Sequence, residues 1–148
     1  MKPENAADTQ EAGFPAPPRK RGVVAVIERG GELLVIRRSQ LVAAPGAFCF
    51  PGGGIELGET EEQAVVRELQ EELAASVRPA RRIWECTTAW QVHLAWWRCE
   101  LLADSLIPCE DEVASIHWHA PGDLARLPGL LESNHRFLLA LAAGEISL

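Results

Sequence analysis

The stretch GGGIELGETEEQAVVRELQEELAA, residues 52–75, crowds glutamates onto what reads as one helix. Glu68, Glu71 and Glu72 stand at i, i+3 and i+4, a spacing that puts three carboxylates on one helix face. Neighbouring like charges on a helix cost roughly 0.2–0.5 kcal/mol per pair. Arg67 can offset part of this, pairing with Glu71 or reaching back to Glu59, but one guanidinium does not neutralise the cluster. A hard divalent cation does, since Mg²⁺ takes oxygen ligands and keeps waters and phosphates in its shell. Just upstream, Pro51-Gly52-Gly53-Gly54 brings bare backbone close to the helix. Carbonyls there can join a metal shell, and amides can face an anion.

The spacing carries more than either feature alone. From Gly53 the chain reads G, five residues, Glu59, seven residues, then Arg67-Glu68-Leu69-x-Glu71-Glu72. This resembles the Nudix box, G-x5-E-x7-R-E-U-x-E-E-x-G-U, where U is a bulky aliphatic residue. Two departures close it: Ala74 replaces the glycine, which serves as a left-handed helix cap, and the small Ala75 replaces the aliphatic residue. The resemblance implies an enzyme that hydrolyses a nucleoside diphosphate linked to another group X. It implies an α/β/α sandwich around a mixed β-sheet, spanning residues 22–148, with Mg²⁺ or Mn²⁺ on the box helix. Carried over, Glu71 and Glu72 are metal ligands beside the Gly52 carbonyl. Glu68 is a further ligand or the water-activating base. Glu59 and Arg67 form the ion pair that orients the loop against the helix. Phosphoanhydride hydrolysis needs charge neutralisation on phosphate and a positioned water, and this set supplies both.

GETEEQAVVRELQEE looks most like the MutT, 8-oxo-dGTP diphosphatase, branch. On that resemblance Arg38 contacts phosphate, and the Gly53 backbone faces the substrate. Glu112, six residues before Trp118, adds a metal-binding or catalytic carboxylate, and Asn134 reads a purine edge. Phe50 is the first choice for stacking on the base, ahead of Trp90, Trp96, Trp97 and Trp118. His117 and His119 share one strand face, a spacing that can bind metal, with no third ligand evident nearby. The expected activity is nucleoside triphosphate pyrophosphohydrolysis, releasing a monophosphate and pyrophosphate. The alternatives are a coenzyme A, ADP-ribose or dinucleotide substrate, or a non-catalytic nucleotide sensor.

These residues need a frame. Thr60 with Gln63 makes a capping box, so a helix is expected from Glu61 to about Ala74, with Val65, Val66, Leu69 and Leu73 facing the core. Glu61 and Glu62 sit where the helix dipole favours acids. GVVAVIE and ELLVIRR read as a hairpin across RGG, and FCF as a short strand. RRIWECTTAW, QVHLAWWRCELLA and EDEVASIHWHA supply later strands. PGDLARLPGLL holds one helical turn, and ESNHRFLLALAAG closes as a helix with Ser133 or Asn134 near its N-cap and Gly144 at its end. Strands, helix, strands, helix predict a mixed sheet covered by helices.

Composition bounds the rest. The 148 residues are 47% hydrophobic, the balance of one globular domain. A net charge of −7 argues against a nucleic-acid polymer as partner. Cys49, Cys86, Cys99 and Cys109 have no C-x-x-C spacing and read as reduced thiols. Residues 1–21, ending FPAPPRKR, read as a flexible tail with no signal-peptide core. Cytoplasmic location, no membrane span, and a monomer or homodimer are the expectations that complete this reading.

Overall fold

The computed structural model describes residues 20–148, so most of the expected tail lies outside the described residues. Lys20 and Arg21 already belong to the first strand, two residues ahead of the expected start. In chain order the elements are β1 (Lys20–Val26), β2 (Glu28–Arg29), β3 (Glu32–Arg38), β4 (Phe48–Cys49) and β5 (Gly52–Gly54). Then come α1 (Glu61–Leu73), β6 (Val77–Thr87), β7 (Val92–Leu101), β8 (Val113–His119), α2 (Pro121–Leu124) and α3 (Glu132–Ala142).

The strands hydrogen-bond into two groups rather than one continuous ladder. The first has the order β5-β1-β7-β6, with β1 parallel to β7 and the other pairs antiparallel. In the second, β3 carries β8 along its length, and pairs with β2 and β4 as well. The expected hairpin is correspondingly divided. Gly30 and Gly31, at φ 60° and 83°, turn β2 into β3, while β1 leaves to pair with β5 and β7. The break falls at Ile27, whose carbonyl still accepts from Leu34 N–H at 3.0 Å.

Period-two alternation explains how both sheet faces fill. Val23, Ala25, Ile27, Leu34, Ile36 and Ala95 pack with Ala64, Val65, Leu69 and Leu73 of α1. Val24, Val26, Leu33, Val35 and Trp96 pack with Phe137 and Leu138 of α3. A strand buried on both faces reads as a continuous apolar run, as VVAVI and LLVI do. The result is the expected mixed sheet between helices, an α/β/α arrangement. Trp96 and Trp97 point to opposite sides, as neighbours on a strand must. Trp96 stacks on Phe137, with centroids 4.5 Å apart and planes at 4°.

Three helix expectations change. Val66 is 40% exposed, and Ala64 takes the core position beside Val65, because residue 66 lies about 100° round the helix from 65. α1 stops at Leu73, with Ala74 at φ 50° and ψ 33° as its left-handed cap. Its N–H reaches the Gln70 carbonyl at 3.0 Å, and Ala75 N–H reaches that of Leu69 at 3.1 Å. So the glycine-type ending forms on alanine. α3 begins at Glu132 with Leu131 as its N-cap, which has no side-chain acceptor, and Asn134 lies inside the first turn with its side chain bonded to Phe50 N–H.

The expected capping box is present: Thr60 Oγ1 accepts from Gln63 N–H and Thr60 N–H donates to the Gln63 side chain. Cys49, Cys86 and Cys99 are buried free thiols, and Cys109 is half-buried. No helix of the described residues is long and apolar enough to cross a membrane.

Candidate active site

α1 and β5 build the centre together. β5 pairs antiparallel with β1, Val24 opposite Gly52 and Val23 opposite Gly53. The glycines are there because two neighbours come too close for any side chain. A Cβ at Gly52 would lie 2.1 Å from the Val23 carbonyl oxygen. A Cβ at Gly53 would lie 2.2 Å from Glu68 Oε1. Gly53 is thus the floor on which the Glu68 carboxylate rests.

Arg67 organises the acids. Its Nε donates to Glu59 Oε2 at 2.6 Å, and its Nη2 to Glu59 Oε1 at 2.9 Å and to the Gly54 carbonyl at 2.8 Å. Its Nη1 donates to Glu68 Oε2 at 2.9 Å and Glu71 Oε1 at 3.1 Å. Both pairings open in the sequence, to Glu71 and back to Glu59, are made at once. Only a planar fork with five donors does this, so lysine is no substitute. Hydrogen bonding to Arg67, with help from Glu56 N–H, pulls the Glu59 carboxyl down to about 2. The loop after β5 is thereby tied to α1.

Glu72 is the opposite case. It is 8% exposed, and its one protein partner is a long 3.4 Å bond from Gly52 N–H. Burial, then the charge of Glu68 and that of Glu112, push it up to about 8. Burial also raises Glu68 against the pull of Arg67. Glu112, in the turn just before β8, therefore adds its field to the same acids.

The donor set fits a hard divalent cation: carboxylates in excess of the cations beside them, one of them buried with only a long backbone bond and the more distant charge of Arg38 to offset it. Among the described residues no three His, Cys, Asp or Glu side chains close into a ligand cage. Mg²⁺ is commonly held by one or two carboxylates with water and substrate phosphates, so such a cage is not required.

Beside the glycine strand opens a cleft of about 1140 Å³ whose walls include Arg38, Gly52–Gly54, Glu59 and Asn134. Arg38 Nε donates to the Ala43 carbonyl at 2.6 Å, and its charge pulls Glu72 downward. Two expected substrate contacts, Phe50 and Asn134, line the cleft but are nearly buried. Phe50 is 3% exposed and packs edge-on against Trp96 and Phe137, at 5.6 and 5.4 Å, so its ring offers no open face to a base. Asn134 is also 3% exposed; its Oδ1 accepts from Phe50 N–H at 2.8 Å, and its Nδ2 donates to Ser133 Oγ at 3.1 Å. Its carbonyl is spent on locking α3 to the segment that leads into β5.

Among the tryptophans, Trp96 is core, Trp118 lies under Arg29 at 4.0 Å, and Trp90 is 86% exposed at the cleft. His117 and His119 do share a face, rings 6.0 Å apart, with His117 Nε2 2.7 Å from Ser115 Oγ. Sequence reasoning missed Glu61 as a node. It accepts from Trp97 Nε1 at 2.9 Å and Arg82 Nε at 2.9 Å, and pairs with Arg21 at 3.4 Å. A helix-start acid reads only as a dipole partner, so nothing local announces these distant contacts.

Comparison with known proteins matches residues 17–141 to the NUDIX domain family. An NAD-capped RNA hydrolase NudC of Stutzerimonas stutzeri is 28% identical over 122 residues, covering 80% of this chain and 42% of that protein. The 8-oxo-dGTP diphosphatase of Escherichia coli is 55% identical over 42 residues, covering 28% of this chain and 33% of that protein. The match thus spans less than half the length of either relative. The solution structure of the E. coli ORF135 protein superposes with a TM-score of 0.68 at 27% identity, covering 85% of this chain and 90% of that one.

Proposed function

The chain belongs to the Nudix hydrolase family, and on that premise we propose that it hydrolyses the phosphoanhydride of a nucleoside diphosphate linked to X. Nucleoside triphosphates are the favoured substrates, giving a nucleoside monophosphate and pyrophosphate. The observation that carries this reading is the acid centre: buried Glu72 and Glu68 seated on Gly53, beside a cleft lined by Arg38 and the glycine strand.

Glu71, Glu72 and the Gly52 carbonyl would hold Mg²⁺ or Mn²⁺, with Glu112 contributing charge. Bound there, the ion supplies charge neutralisation on the phosphate oxygens. Glu68 holds the attacking water and takes its proton. Its carboxylate is fixed on one side by Arg67 and on the other by Gly53, so little reorganisation is needed. Arg38, which lines the cleft near enough to Glu72 to act on its charge, meets a phosphate. Asn134 acts by holding Phe50 and hence the approach to β5, with its amide at the cleft lining.

The local 55% identity to an 8-oxo-dGTP diphosphatase supports the triphosphate reading, including oxidised purines. The chain-wide similarity to an NAD-capped RNA hydrolase favours a second one, a dinucleotide phosphoanhydride. A panel of nucleoside triphosphates, 8-oxo-dGTP and NAD with Mg²⁺, followed by ³¹P NMR, separates them. Monophosphate plus pyrophosphate from a triphosphate supports the first; two monophosphates from NAD support the second. No product from any member, despite binding, makes the chain a sensor.

A further inference from the structure

Single exposed apolar side chains are ordinary, but those that gather at the mouth of a cleft mark a binding site. Among the described residues the two most exposed are Leu57, at 106%, and Trp90, at 86%. Both line the same cleft, the one beside the acid centre. They come from different segments: Leu57 from the loop between β5 and α1, Trp90 from the turn between β6 and β7.

The strand register brings these segments to one end of the sheet. Gly22 pairs with Gly54 on one side of β1 and Leu94 on the other, and Lys20 pairs with Val92. The chain ends of β5 and the start of β7 therefore lie two strand spacings apart, about 10 Å. Arg21, between them, lines the cleft and is held by Glu61 at 3.4 Å.

The turn that carries Trp90 is built to stay put. Thr88 Oγ1 accepts from Trp90 N–H at 3.2 Å and Val92 N–H at 3.3 Å. Thr88 N–H donates to Val92 O at 2.9 Å, and its carbonyl accepts from Gln91 N–H at 3.0 Å. Gln91 takes φ 63°, a conformation that a non-glycine residue adopts at a cost. A four-residue turn tied through one threonine, presenting an indole to solvent at a cleft, is preorganised for a flat ligand.

We propose that Trp90 is the ring-stacking residue of this cleft, with Leu57 as the apolar contact at the same mouth, and that together they grip the substrate's base. This deepens the nucleotide reading above and rests on it. Phe50 does not fill the role, since its ring is within the core. Indole is the side chain suited to stacking on a base of any sequence, so affinity here depends on a planar ring more than on which base it is.

The test takes whichever nucleotide the wild type turns over best, with inorganic tripolyphosphate as a base-free inhibitor. Trp90→Ala is expected to raise KM for the nucleotide about tenfold, with kcat within a few-fold. The inhibition constant of tripolyphosphate should stay within about twofold. Trp90→Phe should recover most of the affinity, and Trp90→Leu, apolar but not planar, should not. An unchanged KM in Trp90→Ala overturns the stacking role while leaving the hydrolase reading intact. Equal weakening of tripolyphosphate, or full rescue by leucine, overturns it too. A wild type that neither binds nor turns over any nucleotide removes the reading on which it rests.

Discussion

At the scale of single residues the centre is a balance between one arginine and several acids. Gly53→Ala should fold, because its Cβ meets only the flexible end of Glu68, but Glu68 must move. Turnover is expected to fall at least a hundredfold with a near-native melting temperature, of the order that a misplaced catalytic group costs. Gly52→Ala should behave differently. Its Cβ meets the Val23 carbonyl, so the loss appears first in stability, read by thermal melting. Glu72 sets the pH response. Its folded value of about 8 lies above the unfolded value of about 4.3. For an acid, that makes a penalty absent below about pH 4 and full above about pH 8. The metal-free protein should therefore lose stability, on the order of a few kcal/mol, as pH rises from 5 to 8. Glu72→Gln should reduce that slope, leaving the part that Glu68, also raised by burial, contributes. Glu59, held down by Arg67, acts only below about pH 4 and leaves this window clear. The box spacing announced these residues because β5, the loop after it and α1 follow one another within some twenty residues of chain. The Phe50–Asn134 bond was not legible, because it joins positions 84 apart in the chain and no local pattern records it.

At the scale of elements, α1 carries most of the site, and its ending is the point of departure from its family. Ala74 sits in the left-handed region, at a cost of roughly 1–2 kcal/mol for a residue with a Cβ. Ala74→Gly should stabilise by about 1 kcal/mol, raising the melting temperature by about 3 °C in differential scanning calorimetry, without changing kcat. The cap is exposed and on the far side of Leu73 from Arg67, which is why the site persists without the glycine. Leu69→Ala, by contrast, opens the packing of α1 on β1 and β3 and should cost about 2–5 kcal/mol. The start of this helix was legible from Thr60 and Gln63, since a capping box is local chemistry. The division of the first hairpin at Ile27 was not. It depends on which distant strands claim the two edges of β1, and β7 lies some seventy residues downstream.

At the scale of the whole molecule, a chain of net charge −7 concentrates acids at a centre meant for a polyanion. On the proposed reading a cation joins them, and the burial that pushes the Glu72 carboxyl up is the local cost such a cation would relieve. The sandwich supplies rigidity: two helices press the sheet from both faces, and β5 is fixed between β1 and α1. The layer order could be read from the alternation of strands and helices, whereas the cleft could not, since its walls come from segments spread between residues 20 and 134. The most direct measurement is product release from the nucleotide panel, with and without Mg²⁺, for the wild type and Glu72→Gln in parallel. We predict Mg²⁺-dependent turnover in the wild type and none in a variant that melts as a folded protein. Turnover by Glu72→Gln, or by the wild type stripped of divalent metal, would contradict the assignment of this centre.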